Sequence, residues 1–183
     1  MSKADPIHSA LNAMLSIEDL PRLRPGVRVH YEGSTDKRGD NADWDWWLYQ
    51  DARTGEWVIL DAEGPGCLYN FVVHHSLSHS DPVYRFYFDG SDEAAFEIRH
   101  SQFGEKWPFV EPLAGAFKPG ASVDSRLEDV NFSIVRSFCP MAFRAGCRIT
   151  SSVKLQGRPD DGQRHGGGWG HAIYHTYPTA DGL

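Results

Sequence analysis

Apolar and polar residues alternate along most of this chain, and the alternation predicts short β-strands. Within Val83–Phe88, aromatic residues recur at every second position, and the run stops at Asp89-Gly90, a pair typical of hairpin turns. Comparable apolar or alternating runs lie at Val27–Tyr31, Trp57–Leu60, Leu68–Val73, Phe96–Ile98, Phe132–Val135, Cys147–Val153 and His171–Tyr177. About eight short strands with turn residues between them predict an all-β fold, an antiparallel jelly-roll β-sandwich.

One segment has helical spacing instead. Apolar residues recur at intervals near three and four over Ile7–Ile17, which predicts a short amphipathic helix that ends before Pro21. We therefore divide the chain into an N-terminal helix with its lead-in, residues 1–26, and a jelly-roll domain, residues 27–183.

Turn chemistry marks where the strands are joined. Gly64-Pro65-Gly66 predicts a tight turn, and the preceding Glu63 is interpreted as structural. Two long loops are expected over Gly33–Asp45 and Gly104–Asp129, and a third, Gly-rich and polar, over Gln156–Gly168. Long ordered loops on a rigid sheet are where binding residues usually lie.

Composition narrows the function. The formal net charge is −7 and basic residues are scattered, which argues against a nucleic-acid partner. No segment approaches the roughly 20 apolar residues of a membrane span, and the N-terminus has no signal-peptide core, so we expect a cytoplasmic protein without membrane contact. The three cysteines, Cys67, Cys139 and Cys147, fit buried thiols better than a disulfide framework or a zinc site.

The loop that precedes Trp46 is the segment richest in binding chemistry. It carries Arg38, Asp40, Asn41, Asp43 and Trp44. Carboxylates and amides bond pairs of sugar hydroxyls, and an indole face packs on the C–H face of a sugar ring. The same residue types also build turns and cores, so composition leaves both interpretations open. The neighbours Trp46 and Trp47 must face opposite sides of a strand.

The histidines do not form a recognisable metal motif. His74 and His75 face opposite sides of a strand, and His171 and His175 lie about 13 Å apart along one. We expect no metal and no cofactor. Glycosidase catalysis needs two carboxyl groups. The candidates are Asp40, Asp43, Glu63 and Glu111, but nothing in the sequence selects a pair among them.

Seven segments of the chain, read in order, carry a resemblance to a known family. They are Leu20–Gly26, Tyr31–Asp43, Leu60–Cys67, the Arg-Phe-Tyr-Phe-Asp-Gly hairpin at Arg85–Gly90, Gln102–Gly104, Ser137–Phe143 and Ile173–Tyr177. In the same order they resemble segments of glycoside hydrolase family 172, formerly a family of unknown function (DUF2961). The resemblance covers about residues 15–178, and the colinear order of the segments is its specific feature.

The resemblance implies two jelly rolls in tandem, an oligomer, and retaining hydrolysis or transfer at α-D-fructofuranosides or α-D-arabinofuranosides. It places both catalytic glutamates in the second jelly roll, one of them in a Gly-Thr-Glu-Asp-Tyr-like motif that this sequence lacks. No catalytic residue is therefore carried over. The loop with Arg38 and Asp43 is expected to approach the active site from the same or a neighbouring subunit.

Three functions remain at this point. The leading interpretation is the first jelly roll of an α-furanosidase-like enzyme, inactive alone, with a furanoside and a further copy or a second jelly-roll chain as partners. The alternative is a non-catalytic jelly roll that binds carbohydrate or serves assembly. The third is a metal-dependent cupin-like enzyme, but this sequence lacks the pair of histidines, two residues apart, that such a site needs.

Overall fold

The structure is a computed structural model that describes residues 15, 24–39, 43–78, 80–117, 132–157 and 168–181. The helix predicted over Ile7–Ile17 lies outside these residues, apart from Leu15. The candidate site residues Asp40 and Asn41 also lie outside them. Among the residues described, no helix is long and apolar enough to cross a membrane.

Strands dominate the described part of the chain, with one short 3₁₀ turn at His100–Gln102. In chain order the strands are β1 (Arg28–Gly33), β2 (Asp45–Trp46), β3 (Tyr49–Gln50), β4 (Trp57–Glu63), β5 (Gly66–Ser76), β6 (Val83–Phe88), β7 (Phe96–Arg99), β8 (Glu105–Lys106), β9 (Phe109–Val110), β10 (Ala114–Phe117), β11 (Phe132–Ser137), β12 (Met141–Phe143), β13 (Gly146–Ser151), β14 (Leu155–Gln156) and β15 (Gly170–Thr176).

Two antiparallel sheets carry the architecture. The larger has the order β1-β15-β5-β11-β10, with β12 also paired to β5, and the smaller has the order β3-β4-β13-β6-β7. All eight strands predicted from the sequence are present. Numbered along the chain, they run first-eighth-third-sixth in one sheet and second-seventh-fourth-fifth in the other, which is the strand order of a jelly roll. The all-β jelly-roll prediction is confirmed.

The core lies between the two sheets. Phe71 of β5 packs its ring 5.4 Å from that of Tyr84 and 5.5 Å from that of Phe86, both on β6. Tyr84 and Phe86 project to the same side because they are two residues apart on a strand. Trp46 adds its indole 5.8 Å from Phe71 and is 1% exposed. The apolar residues that alternate in the sequence therefore form the inner face of each sheet.

The loop expected over Gly104–Asp129 is only partly a loop. Its described portion contains β8, β9 and β10, and β10 extends the larger sheet by pairing with β11. The prediction missed these strands because they are two to four residues long. Alternation needs more residues than that to show. The loop expected over Gly33–Asp45 is confirmed for its described residues, since residues 34–39 and 43–44 form no strand or helix between β1 and β2.

Each of the two predicted turns joins strands that are consecutive in the chain. Gly64 and Pro65 connect β4 to β5, and a side chain at Gly64 would meet the Phe143 ring at 2.6 Å, so glycine is needed there. Asp89 and Gly90 follow β6 with positive φ values of 55° and 75°. The Asp89 carboxylate accepts backbone N–H bonds from Arg144 and Ala145, both at 2.7 Å. This side chain thereby ties the β6–β7 loop to the β12–β13 turn.

Candidate functional site

The loop between β1 and β2, which we call the 34–44 loop, is anchored to the sandwich at its first residue. Ser34 is 7% exposed. Its backbone N–H donates to the carbonyl of Gly170 at 3.0 Å, and its hydroxyl accepts from the N–H of Gly170 at 3.2 Å. Both bonds join the loop to β15, which lies beside β1. The start of the loop is therefore held by residues distant in sequence.

Asp36 and Asp43 shape the described part of this loop. Asp43 Oδ1 accepts the backbone N–H of Asp36 at 2.8 Å, and Asp36 Oδ1 accepts the backbone N–H of Arg38 at 2.9 Å. Such carboxylate-to-backbone bonds are typical of turn-forming aspartates. One carboxylate oxygen of Asp43, a predicted sugar contact, therefore stabilises the loop.

Of the three predicted site residues that the structure describes, Arg38, Asp43 and Trp44, Arg38 is the most open to solvent. Its guanidinium pairs with the Asp36 carboxylate through Nε at 3.2 Å and Nη2 at 3.3 Å. The Arg38 side chain is 77% exposed, whereas that of Asp36 is 5% exposed. A largely buried carboxylate thus orients a guanidinium that faces solvent. An oriented guanidinium is a suitable donor for sugar hydroxyls because its N–H groups form a fixed fork.

Trp44 lies half-buried at the other end of the loop. Its carbonyl accepts the backbone N–H of Gly157 at 2.8 Å, just after β14. Gly168 packs against the same carbonyl with a φ of +88°, a conformation and a closeness that exclude a side chain. The structure therefore brings Arg38, Asp43 and Trp44 onto one loop that is fixed at both ends.

Trp46 and Trp47 face opposite sides, as the sequence predicted. Trp46 enters the core, while Trp47 is 38% exposed and meets Trp57 edge-on at 5.4 Å. The Lys154 ammonium lies 4.2 Å from the Trp47 ring centre and 5.1 Å from that of Trp57. The sequence pattern does not predict this partly exposed aromatic cluster of Trp47, Trp57 and Lys154, which we call the exposed aromatic cluster. The adjacency of Trp47 to the 34–44 loop signals its place, but nothing in the sequence links Lys154 to it.

A second polar region lies on the outer face of the smaller sheet. A groove of about 330 Å³ there is lined in part by Asp61, Tyr87 and Arg148. Arg148 stacks over Tyr87 at 4.8 Å and pairs with Asp51 at 3.5 Å. The Tyr49 hydroxyl donates to Asp61. These groups contact one another, and this arrangement is that of a solvated sheet surface.

The pKa values in this region match that description. Burial, together with the hydrogen bond to Asp61, raises the pKa of Tyr49 to about 12. Burial alone would raise the pKa of Asp51, but the backbone N–H groups of Arg53 and Thr54 and the charge of Arg148 outweigh it, so the pKa is lowered. Both groups are held in their ordinary ionisation states at neutral pH, which suits structural roles better than acid–base catalysis.

Of the two buried histidines, His75 and His100, His100 is the more deeply buried. His100 is fully buried, and its Nδ1 lies 3.0 Å from the Tyr84 hydroxyl. Burial and the neighbouring His75 lower the pKa of His100 to about 3. Within the described ranges, no group of three or more His, Cys, Asp or Glu side chains is placed to hold a metal ion.

The cysteines and the remaining candidate carboxylates show no catalytic arrangement. Burial raises the pKa of Cys67 to about 12 and that of Cys139 to about 11, and it raises that of Cys147 further. These buried thiols are therefore not nucleophiles. Glu63 and Glu111 are exposed, at the end of β4 and just after β9.

One comparison with known proteins bears on this geometry. The model of the GH172 first β-sandwich domain matches residues 25–183 of the chain. No curated protein matches the chain. The match begins within two residues of the predicted start of the jelly roll and covers the 34–44 loop, the exposed aromatic cluster and both sheets.

Proposed function

The chain belongs to glycoside hydrolase family 172 as its first β-sandwich domain, and we propose that its 34–44 loop forms one wall of a furanoside-binding site. The observation that carries this proposal is the oriented guanidinium of Arg38, 77% exposed on a loop closed by Asp36 and Asp43. Family membership supplies the chemistry, a glycoside, and the loop supplies groups that bind one.

The loop fits a small sugar better than a charged or apolar ligand. Arg38 offers N–H donors, Asp43 has a second carboxylate oxygen, and Trp44 is half-buried beside them. Furanosides carry several hydroxyl groups on a small ring of C–H groups, and such a set can contact both kinds of group. The substrate class, an α-D-fructofuranoside or α-D-arabinofuranoside, follows from the family resemblance and is part of the proposal.

We further propose that these 183 residues do not hydrolyse furanosides by themselves. Retaining hydrolysis needs two carboxyl groups about 5 Å apart, one of them free to attack. The resemblance places both catalytic groups in the second sandwich. In the described residues, Asp36, Asp43 and Asp89 instead accept backbone N–H bonds. This domain is then a contributor of binding groups and of oligomer contacts.

The test measures binding and turnover separately. Titration of methyl α-D-arabinofuranoside and of a fructofuranosyl disaccharide into the isotopically labelled chain is followed by NMR. We expect weak binding, because one wall buries little of a ligand, with shifts centred on residues 35–47. Arg38→Ala and Trp44→Ala should abolish the shifts. Trp107→Ala is the control, since Trp107 is 70% exposed on the β8–β9 hairpin. This hairpin contacts β10, which lies at the edge of the larger sheet opposite β1.

Two results would contradict the proposal. Shifts that survive both loop substitutions would place the sugar elsewhere on the domain. Turnover of an aryl α-D-arabinofuranoside by the chain alone, lost on Asp43→Asn, would move the catalytic group into this domain. Tight binding without turnover would favour the alternative, a carbohydrate-binding module.

A further inference from the structure

The two outer faces of the sandwich differ in charge. On the smaller sheet the outer face carries Asp61, Arg85 and Arg148, with Glu97 paired to Arg85 at 2.8 Å and Glu56 also bonded to Arg85. Charged side chains interleaved in this way are typical of a sheet face that water covers. The larger sheet shows a different pattern.

Side chains on the outer face of the larger sheet follow from its register. Alternation away from the core assigns to this face residues 29 and 31 of β1, the odd-numbered residues 171–175 of β15, residues 70, 72 and 74 of β5, the even-numbered residues 132–136 of β11, and residue 117 of β10. Ring contacts support the assignment. Tyr31 stacks on His171 at 5.4 Å, and His74 meets Phe132 edge-on at 5.9 Å.

This outer face is almost free of charge. Among the strand positions just assigned, Arg136 is the only one with a permanently charged side chain. The histidines are neutral at pH 7, because burial lowers the pKa of His74, His171 and His175. The remaining side chains are apolar or aromatic, except for Asn70. In a chain with a net charge of −7, a sheet face with one permanently charged strand residue is an unusual surface to leave in water.

Large apolar side chains at both edges of the face are open to solvent. Val29 is 67% exposed and Tyr31 54% exposed on β1, while Phe117 is 55% exposed on β10 at the opposite edge. Between them lie half-buried Val72, Ile134 and Ile173. Five strands span about 20 Å in each direction, so the face is as large as the largest apolar patches of ordinary monomers, which are often functional.

We propose that the outer face of the larger sheet, centred on Ile173 and Val72 and bounded by Tyr31 and Phe117, is the docking surface for a second β-sandwich domain of the same family. The matched family model describes this domain as the first, so a further sandwich is the partner that belongs with it. A sheet face with a single permanently charged strand residue suits another sheet, since sheets pack face to face about 10 Å apart through apolar side chains.

A mixing experiment tests this proposal. A second β-sandwich domain of the family, taken from the same genome, is made as a separate polypeptide and combined with this chain. Sedimentation gives the affinity, and hydrogen exchange gives the protected strands. We expect a complex that protects β15, β5 and β11. Tyr31→Lys and Ile173→Lys should weaken it by at least about tenfold, because each places an unpaired charge against apolar surface.

Tyr49→Lys is the matched control, since Tyr49 is 43% exposed on β3, the edge strand of the other sheet. It should leave the affinity within about twofold, the ordinary spread for a residue outside an interface. Tyr31→Lys replaces an exposed side chain, so it is expected to fold even if Ile173→Lys does not.

Three outcomes would overturn the proposal. They are no complex with the wild-type chain, a complex that Tyr31→Lys leaves intact, and protection of β4 and β13 in place of β15 and β5. Self-association of the chain that Tyr31→Lys abolishes, without binding of the second sandwich, would assign the face to a second copy. No sugar is present in this experiment, so its failure is distinct from failure of the 34–44 loop as a furanoside site.

Discussion

Asp43 holds Asp36 in place across the 34–44 loop, with its Oδ1 accepting the Asp36 backbone N–H at 2.8 Å. Asp36 in turn pairs with the exposed guanidinium of Arg38. The first aspartate therefore acts on the candidate site through the second. This relationship separates residues that shape the loop from those that face a ligand.

The Asp43–Asp36 bond predicts a difference between two substitutions at Asp43. Asp43→Ala removes the acceptor and should lower the free energy of unfolding by about 1 kcal/mol, the usual value for one hydrogen bond. Asp43→Asn retains a carbonyl oxygen and should stay within about 0.5 kcal/mol of the wild type. Urea unfolding measures both. Equal losses would show that the loop does not depend on this bond.

The free energy of unfolding should decrease as the pH is lowered, because of His100. The pKa of His100 is about 3 in the folded chain and about 6.5 when unfolded, so the unfolded state binds the proton first. Its contribution is complete above pH 6.5 and is lost as the pH falls toward 3, by up to about 1.4 kcal/mol per pH unit. Urea titrations between pH 7.5 and 5 should show a shallower slope for His100→Gln than for the wild type.

That comparison has a built-in check. His74, His171 and His175 have lowered pKa values too and contribute to the slope of both proteins. Only the difference between the two slopes belongs to His100. Identical slopes would mean that His100 takes up its proton in the folded state as easily as in the unfolded state.

Truncation of two neighbouring tryptophans should destabilise the chain to very different extents. Trp46→Ala empties a core position that is 1% exposed and should cost about 3–5 kcal/mol. Trp47→Ala removes a side chain that is 38% exposed and should cost about 1 kcal/mol or less. Guanidinium unfolding of both variants tests this ordering. A larger loss at Trp47 would contradict the opposite orientations assigned to Trp46 and Trp47.

Glycine should be required at position 168 more than at position 90. Both residues have positive φ, but an added side chain at Gly90 meets nothing within 4 Å, whereas one at Gly168 would meet the Trp44 carbonyl and, at 2.8 Å, the Gly157 nitrogen. Gly90→Ala should cost about 1 kcal/mol from backbone conformation alone. Gly168→Ala should cost at least about 2 kcal/mol more, because atoms overlap. Thermal unfolding of the two variants checks the difference.

The sequence by itself determined the fold class and most strands of this protein. Alternation in Val83–Phe88 marks an inner face because successive side chains point to opposite sides of a strand. Asp89-Gly90 marks a turn because few residues adopt positive φ. Trp46 and Trp47 had to separate for the same geometric reason. These are local effects, since each depends on residues adjacent in the chain.

Tertiary structure alone decided which surfaces these elements form. Ser34 is anchored by Gly170, which lies 136 positions away in the sequence. Lys154 lies over Trp47 and Trp57. Local periodicity predicts neither contact. The strand β10 is a strand because β11 offers it backbone partners. The charged outer face of one sheet and the mainly apolar outer face of the other appear only when strands distant in sequence are paired. Pairing register, set by long-range packing, is the physical quantity that a linear pattern does not contain.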